Sequence, residues 1–225
     1  MSTDAVRTIT RVRVIGRGRA GGAIAARLDA RGLLHEDRAD LVLICVPDAA
    51  IAGVARGLDA GPWVAHVSGA TPLAALAPHT RAFSVHPLQT FTTARGPEQL
   101  DGAWAAVTAA DAAARDAGRW LAGVLGLRPF DLADDQRALY HEGASMASNF
   151  LVTLHRAAAA AVAAAGAPPE ALLPLMQRTI DNDFALTGPI ARGDWATVDA
   201  HLAALRERLP ELEPLYRALA EATRP

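Results

Sequence analysis

The segment GRGRAG at Gly16–Gly21 constrains the fold of this 225-residue chain more than any other part of its sequence. It follows a short apolar, β-branched run, Val12–Ile15, and precedes Gly22–Ala30, where apolar residues recur with helical spacing. A glycine-rich turn between a buried strand and a helix is typical of the first β-α unit of a Rossmann-type parallel sheet. We therefore expect an α/β fold that begins near the N-terminus.

We expect the three glycines of this turn to have different roles. Gly16 permits the tight turn, Gly18 permits close approach of a pyrophosphate, and Gly21 permits close contact between helix and strand. The N-terminus of the helix offers N–H donors and a partial positive charge to phosphates. A glycine turn that serves packing alone is the alternative. The candidate cofactor-binding residues of this segment are Gly16, Gly18, Arg19, Ala20 and Gly21.

Five further runs have the composition of strands: Leu41–Val46, Trp63–Val67, Ala82–Val85, Trp104–Thr108 and Arg128–Leu132. Ala49–Leu58 and Asp111–Leu125 are predicted helices, and this alternation predicts a parallel sheet covered on both faces. Ligands bind at the carboxyl ends of the strands in such sheets. Residues that follow the strands are therefore candidates: Val46, Pro47 and Ser68 for the cofactor, His86 for catalysis, and Gln89 and Thr90 for the substrate.

The region after the first helix departs from the usual dinucleotide fold. A second strand normally delivers a residue to the adenosine ribose ~20 positions beyond the glycines. Here Gly32–Asp40 alone separates the helix from the next strand, so we expect the second strand to be shortened or missing. Glu36 and Asp37 lie at about the right distance, whereas Arg38 favours a 2′-phosphate. The residues alone leave the choice between NADP and NAD open.

From about Asp134 the pattern becomes entirely helical. The predicted helices are Asp134–Ala165, Glu170–Phe184, Trp195–Leu209 and Glu211–Ala222. We place a domain boundary near residue 132, with a dinucleotide-binding domain over 1–132 and a helical domain over 133–225.

Composition excludes several kinds of chemistry. All 22 basic residues are arginines, so a lysine base, a lysine Schiff base and a phosphate-loop lysine are excluded. The formal charge of −2 argues against nucleic-acid binding. Cys45 is the single cysteine and the histidines lack metal-ligand spacing, so we expect no metal. The first 16 residues hold no apolar signal core, and the alanine tract Ala157–Ala165 is far shorter than the ~20 residues of a membrane span, which predicts a cytoplasmic protein.

Several motifs occur in a distinctive order: CVPD at Cys45–Asp48, HVSGAT at His66–Thr71, SVHPLQTF at Ser84–Phe91, YHEGASMASNFL at Tyr140–Leu151 and ALTGPIARGD at Ala185–Asp194. From about Val12 to Leu205 the chain resembles Rossmann-like proteins that carry the C-terminal domain of unknown function 2520. That family is similar to pyrroline-5-carboxylate reductases, β-hydroxyacid dehydrogenases and F420-dependent NADP reductases, and some members resemble a ketopantoate reductase.

The resemblance implies hydride transfer from NADP, with NAD possible, to a small keto acid or cyclic imine. It also implies a helical domain of the 6-phosphogluconate dehydrogenase C-terminal-like type and a homodimer formed through it. Two alternatives stay open. One is a binding or sensing protein that keeps the dinucleotide fold without turnover, and the other is an F420-dependent reductase.

Reduction of a carbonyl needs a proton donor and hydrogen bonds to the developing alkoxide. β-Hydroxyacid dehydrogenases place a lysine and an asparagine one helical turn apart, and Ser145 and Asn149 have that spacing here. His141 lies one turn earlier, so His141, Ser145 and Asn149 share one helix face and are candidate catalytic residues together with His86. A solvent-facing polar stripe is the alternative. The remaining candidate substrate-binding residues are Ser148, Thr187 and Arg192, and Asp194 is an expected N-cap.

Overall fold

The computed structural model describes residues 9–224, which divide into one compact unit that ends at Ser145 and another that begins at Met146. Residues 1–8, part of the segment without a signal core, lie outside that range. The described part of the first unit holds a six-stranded sheet with helices, and that of the second is helical, as predicted. The predicted boundary near residue 132 precedes this division, and the domain assignment stays a prediction.

The first unit alternates strands and helices along the chain. Its strands are β1 (Val12–Ile15), β2 (Leu41–Ile44), β3 (Trp63–His66), β4 (Ala82–Pro87), β5 (Trp104–Ala109) and β6 (Arg128–Asp131). Its helices are α1 (Arg19–Asp29), α2 (Asp48–Arg56), α3 (Ala112–Leu125) and α4 (Arg137–Ser145). Short 3₁₀ turns occupy Leu73–Leu76, Pro97–Leu100 and Asp134–Gln136.

The strands pair in chain order from β1 to β6, and β1 to β4 are parallel. The prediction of a wholly parallel sheet is wrong at one place, because β5 runs antiparallel to β4 before β6 returns parallel to β5. Parallel neighbours need a crossover, which is usually a helix. The segment between β4 and β5 contains the 3₁₀ turn Pro97–Leu100 and no α-helix among its described residues, so the chain turns back instead.

The missing second strand is reduced to one bridge. Leu34 pairs with Val12 in parallel, with the Val12 N–H donating to the Leu33 carbonyl at 2.7 Å and the His35 N–H donating to the Val12 carbonyl at 2.9 Å. Since β2 occupies the other edge of β1, Leu34 marks the place where a dinucleotide fold has its second strand. The expected shortening is confirmed.

Both faces of the sheet are covered. Leu41 and Leu43 of β2 join a core with α1 and α3, whereas Ile44 points to a second core with Ile51 of α2 and Leu76. Alternate side chains of one strand thus enter opposite cores, as the pleat requires. The continuous apolar run of β2 is explained by this two-sided burial.

The second unit begins with a π-helical turn, Met146–Phe150, and continues as α5 (Leu151–Ala164), α6 (Leu172–Asp181), α7 (Trp195–Arg208) and α8 (Glu213–Ala222). The single helix predicted over Asp134–Ala165 is wrong in detail, since a 3₁₀ turn, α4, the π turn and α5 replace it. A π turn is wider than an α turn, so the spacing used to predict a His141–Ser145–Asn149 face ends at Ser145. Within residues 9–224 no helix combines the length and apolar character of a membrane span.

Candidate active site

The carboxyl ends of β1 to β4 bring the glycine loop, Pro47, Ser68 and His86 to one edge of the sheet, hereafter the carboxyl edge. Neighbouring strands lie ~4.8 Å apart, so β1 and β4 are ~14 Å apart along this edge. Ligands of open parallel sheets bind in this region.

The glycine loop combines tight packing with open space. A Cβ atom on Gly16, whose φ is +95°, would lie 2.5 Å from the Cys45 carbonyl oxygen, and one on Gly21 would lie 2.0 Å from the Gly16 carbonyl oxygen. A Cβ on Gly18 would meet no atom of the described residues within 4 Å. The outer glycines therefore serve packing, and Gly18 borders free space.

Helix α1 begins at Arg19, three residues earlier than predicted, so Arg19, Ala20 and Gly21 form its first turn. The close approach of Gly21 to Gly16 lets the helix start directly on the loop. Gly18 is the N-cap, and within residues 9–224 no side chain caps this end. The first N–H groups of α1 are thus available to an anion beside Gly18.

An ion pair lies at the start of this loop. The Arg17 guanidinium donates to the Glu36 carboxylate, which follows the Leu34 bridge on the free edge of β1. The acidic residue predicted at the adenosine end is thereby tied to the glycine loop. Arg19, a predicted cofactor-binding residue, is exposed.

Ser68 fixes the turn that follows β3. Its hydroxyl donates to Asp48 Oδ2 at 2.8 Å and accepts from the N–H groups of Ala70 and Thr71 at 3.2 and 2.9 Å. Ser68 is therefore a turn residue, and its hydroxyl joins the end of β3 to the start of α2. Its predicted contact with a cofactor stays a prediction.

His86, at the end of β4, contacts the first helix after the sheet. Its Nδ1 atom lies 2.8 Å from the Tyr140 hydroxyl, and the two rings meet edge to face with centroids 5.5 Å apart. The His141 ring lies 6.1 Å from the His86 ring. A Cβ on Gly69 would lie 2.6 Å from Cδ2 of His141 and 2.9 Å from Nε2 of His86. A glycine is thus required between both imidazoles, which form the histidine–tyrosine cluster with Tyr140.

A buried arginine lies next to this cluster. Arg137 is 1% exposed and donates to Thr108 Oγ1 at 2.8 Å and to the Ser68 carbonyl oxygen. Its Nε atom has no hydrogen-bond partner among the described residues, and Asp134 Oδ1 lies 3.9 Å away. Arg137 therefore places a positive charge under the Ser68–Gly69 turn with a carboxylate at the outer limit of an ion pair.

Burial sets the protonation states of the cluster. Burial, with repulsion from His141 and Arg137, lowers the pKa of His86 to about 4. Burial also lowers the pKa of His66 to about 3 and raises the pKa of Tyr140 to about 12. At neutral pH the His86 ring is therefore neutral and Tyr140 keeps its proton. Burial raises the pKa of the Cys45 thiol to about 12, so the thiol stays protonated at neutral pH and is a poor nucleophile.

Comparison with known proteins assigns the chain to a family. A family model described as domain of unknown function (DUF2520) matches residues 103–223, more than half of the chain. The chain belongs to the DUF2520 family. This confirms the resemblance found in the motifs. No curated protein matches the sequence.

Solved structures share the fold of this DUF2520 protein. A candidate NADP oxidoreductase from Bacteroides fragilis is 20% identical, with a TM-score of 0.79 over 95% of this chain and 97% of that one. A Thermotoga maritima protein is 22% identical, with a TM-score of 0.76 over 94% and 96% of the two chains. A reductive aminase from Aspergillus terreus, in complex with NADPH and ethyl levulinate, is 18% identical, with a TM-score of 0.67 over 96% and 93%.

The structure brings some predicted site residues of the DUF2520 protein together. His86 and His141 are neighbours, and Ser68 joins the same edge through the adjacent Gly69. Gln89 is committed to its own loop, because its amide donates to the Gln99 carbonyl at 2.9 Å and its oxygen accepts from the Thr90 N–H at 2.8 Å. This bonding gives Gln89 a loop-bracing role, and substrate binding by Gln89 and Thr90 stays a prediction.

Four predicted residues lie in the second unit: Ser148, Asn149, Thr187 and Arg192. Ser148 and Asn149 are in the π turn. Arg192 donates to the Thr187 carbonyl within their shared loop. Asp194 accepts from the N–H and hydroxyl of Thr197 at 3.1 and 2.7 Å, which confirms it as the N-cap of α7. The site roles proposed for these four residues and for Ser145 stay predictions.

Sequence reasoning missed three residues of the site: Gly69, Arg137 and Tyr140. Tyr140 directly precedes His141 in a motif already singled out, so that motif contained the signal. Arg137 precedes the motif and has the appearance of an ordinary surface arginine of an amphipathic helix. Its burial depends on contacts with Thr108 and Ser68, which sequence spacing does not reveal.

Proposed function

We propose that this DUF2520 protein binds a nicotinamide dinucleotide, NADP or alternatively NAD, along the carboxyl edge and reduces a small keto acid or cyclic imine. The observation that carries the proposal is the continuity of this edge. The uncapped glycine loop packs on Cys45 and Val46, Asp48 bonds Ser68, and Gly69 packs on His86. A phosphate-binding end and a proton-donating end thus belong to one contiguous surface.

The glycine loop fits a pyrophosphate. Gly18 borders open space, and the first N–H groups of α1 are free to donate. Because the chain has no lysine, these N–H groups and Arg19 are the phosphate donors that we assign. The B. fragilis protein is named as an NADP oxidoreductase and the A. terreus enzyme was solved with NADPH, which supports the same cofactor class here.

The histidine–tyrosine cluster fits the reducing end. When bound, a nicotinamide supplies a hydride, and the substrate then requires a proton donor and hydrogen bonds to its developing charge. His86, His141 and Tyr140 provide such groups beside Gly69. Because Gly69 has no side chain, the two imidazole rings can pack directly against its backbone. We keep Ser145 and Asn149 as candidate catalytic residues, and Gln89, Thr90, Ser148, Thr187 and Arg192 as candidate substrate residues.

The second unit supports a homodimer. Among its described residues α5, α6 and α8 bury none, and large apolar side chains are exposed, including Phe150, Leu173, Ile180 and Phe184. Exposed apolar patches of this kind mark protein interfaces. A second copy of the chain is the partner that we propose. The cytoplasmic location is proposed with it, as the compartment that supplies NADP.

The test is a fluorescence titration of the purified protein with NADPH and NADH, followed by assays with ketopantoate and pyrroline-5-carboxylate. We expect micromolar NADPH binding and turnover of a substrate of this class. Absence of binding of both nucleotides at millimolar concentration would refute the proposal. Binding without turnover across the panel would favour a binding or sensing protein. Turnover with reduced F420 alone would favour an F420-dependent reductase.

Asn149 has its own test. Asn149→Ala should lower kcat and leave NADPH affinity nearly unchanged. A lower unfolding temperature with unchanged kcat would instead assign Asn149 a structural role.

A further inference from the structure

We propose that Tyr140 is the proton donor of the reduction, that His86 is its hydrogen-bond partner, and that Arg137 is the positioning residue for both. This inference rests on the proposed function and names the acid that the function requires. It gives a catalytic role to a residue that sequence reasoning passed over in favour of its neighbour His141.

The geometry separates Tyr140 from the other members of the cluster. His86 uses Nδ1 for Tyr140 at 2.8 Å, and its Nε2 edge packs on Gly69. If Nδ1 carries the hydrogen, it donates to the phenol oxygen, and the Tyr140 O–H is free to point away from His86. Phe130 packs against the Tyr140 ring with centroids 5.9 Å apart and helps to hold its orientation.

The proton transfer balances without another reactant. Hydride addition to the carbon of a C=O bond leaves the electron pair of that π bond on oxygen. In an imine, the electron pair of the C=N π bond is left on nitrogen. The Tyr140 O–H bond then breaks as the product O–H or N–H bond forms, and a phenolate remains. The His86 Nδ1–H and the Arg137 charge stabilise this phenolate. Water returns the proton after product release.

Arg137 acts through the groups that it touches. Arg137 donates hydrogen bonds to the Ser68 carbonyl, at the start of the Gly69 turn, and to Thr108 on β5. These bonds fix the position of the turn against which His86 packs. Its charge also opposes protonation of His86 and stabilises ionised Tyr140. Among the described residues the Arg137 Nε has no hydrogen-bond partner and its carboxylate is distant, which makes this buried cation costly for folding alone and agrees with a role in the site.

The chain contains a matched control. The Tyr216 hydroxyl lies 2.7 Å from Nδ1 of His201, and these rings also meet edge to face, but this pair is on α7 and α8. Tyr140 and Tyr216 are the two tyrosines of the sequence. Tyr216→Phe therefore removes the same type of hydrogen bond elsewhere and leaves Tyr140 as the sole tyrosine for spectroscopy.

The experiment compares wild type, Tyr140→Phe and Tyr216→Phe with the substrate that shows turnover. General acid catalysis predicts that Tyr140→Phe lowers kcat by about 100-fold or more, with NADPH Kd within about twofold. Tyr216→Phe should keep wild-type kcat. Tyr140→Phe with kcat within about threefold of wild type overturns this inference alone, whereas a wild-type protein without turnover overturns the proposed function.

Two readouts do not depend on turnover. NMR of ¹⁵N-histidine-labelled protein should show His86 as the Nδ1–H tautomer, and the Nε2–H tautomer overturns the inference. Ultraviolet titration of Tyr216→Phe should show Tyr140 forming tyrosinate above pH 10. Adding Arg137→Met should raise the pKa of Tyr140 further. Arg137→Lys in its place should restore the pKa seen in Tyr216→Phe. If Arg137→Met does not fold, Thr108→Val removes one of the hydrogen bonds of Arg137 instead. A tyrosinate titration and a kcat in Thr108→Val equal to those of the unsubstituted protein would overturn the positioning role.

Discussion

A Cβ atom on Gly69 would lie 2.9 Å from Nε2 of His86, so the turn after β3 and the imidazole at the end of β4 pack without space between them. Gly69→Ala must therefore displace the turn, the His86 ring or both. We expect a loss of about 1–3 kcal/mol of unfolding free energy and at least a tenfold lower kcat, because the displaced ring no longer holds Tyr140. Urea unfolding and steady-state kinetics measure the two effects.

Gly53→Ala is the control for that change, since a Cβ there meets no atom of the described residues within 4 Å and the residue lies inside α2. It should keep activity and add up to about 1 kcal/mol of stability. Wild-type kcat in Gly69→Ala would contradict the close packing at the site.

Gly18→Val tests the phosphate cradle. The backbone of Gly18 is extended with φ −69°, and its Cβ position is open, so the variant should fold, with a loss of roughly 1 kcal/mol because valine is a poor N-cap. The valine side chain should occupy the space of the pyrophosphate and weaken NADPH binding at least tenfold in a fluorescence titration. Equal NADPH affinity in the variant would place the cofactor elsewhere. Gly21→Ala should instead destabilise the fold, because its Cβ meets a carbonyl oxygen at 2.0 Å.

Glu36→Gln tests the adenosine end. Loss of the carboxylate releases Arg17 to pair with a 2′-phosphate, so NADPH should bind a few-fold more tightly while NADH affinity changes less. The change is small because an exposed ion pair contributes at most about 1 kcal/mol. Asp37→Asn removes a neighbouring charge and serves as the control. An equal gain in NADPH affinity in both variants would indicate that removing any nearby negative charge favours the cofactor phosphates, rather than release of Arg17.

Stability should fall as the pH drops below neutrality. His86 and His66 are neutral when folded down to pH about 4 and 3, whereas unfolded histidines take up protons near pH 6.5. The unfolded state thus binds more protons over this window, so the contribution is complete above pH 6.5 and is lost as the pH falls through the folded pKa values. Urea unfolding at pH 6.5 and 5 should differ by roughly 1.5 kcal/mol for each histidine.

The titratable and charged groups that face these rings are Arg137, Asp48, Tyr140 and His141, and His86 also faces His66. His86→Gln should reduce the pH dependence by the share of one histidine. An unchanged slope in His86→Gln would mean that His86 titrates normally in the folded protein.

The helical unit should lose its self-association when its exposed apolar stripe is charged. Leu173 and Ile180 lie two turns apart on one side of α6 and are 58% and 48% exposed. Leu173→Glu with Ile180→Glu should convert the proposed dimer to monomer in sedimentation experiments. Thr179→Glu, on another side of α6, should not. A wild-type protein that sediments as a monomer would refute the dimer.

The site was only partly predictable, and the reason lies in sequence separation. His86 and His141 were predicted individually because each has a local signature, a strand end and a helical motif. The bond between His86 and Tyr140 spans 54 positions, and that between Arg137 and Ser68 spans 69. Local periodicity carries no information about such pairs.

The sequence by itself determined the β-α order, the glycine loop with its three distinct glycines, the loss of the second strand and the exclusion of lysine chemistry. These follow from short-range patterns of apolar residues, glycines and residue types. Tertiary structure alone decided that β5 runs antiparallel, that Tyr140 is the partner of His86, and that Arg137 is buried. Each of these depends on which distant surfaces pack together, because hydrogen bonding and desolvation are set by neighbours in space rather than neighbours in the chain.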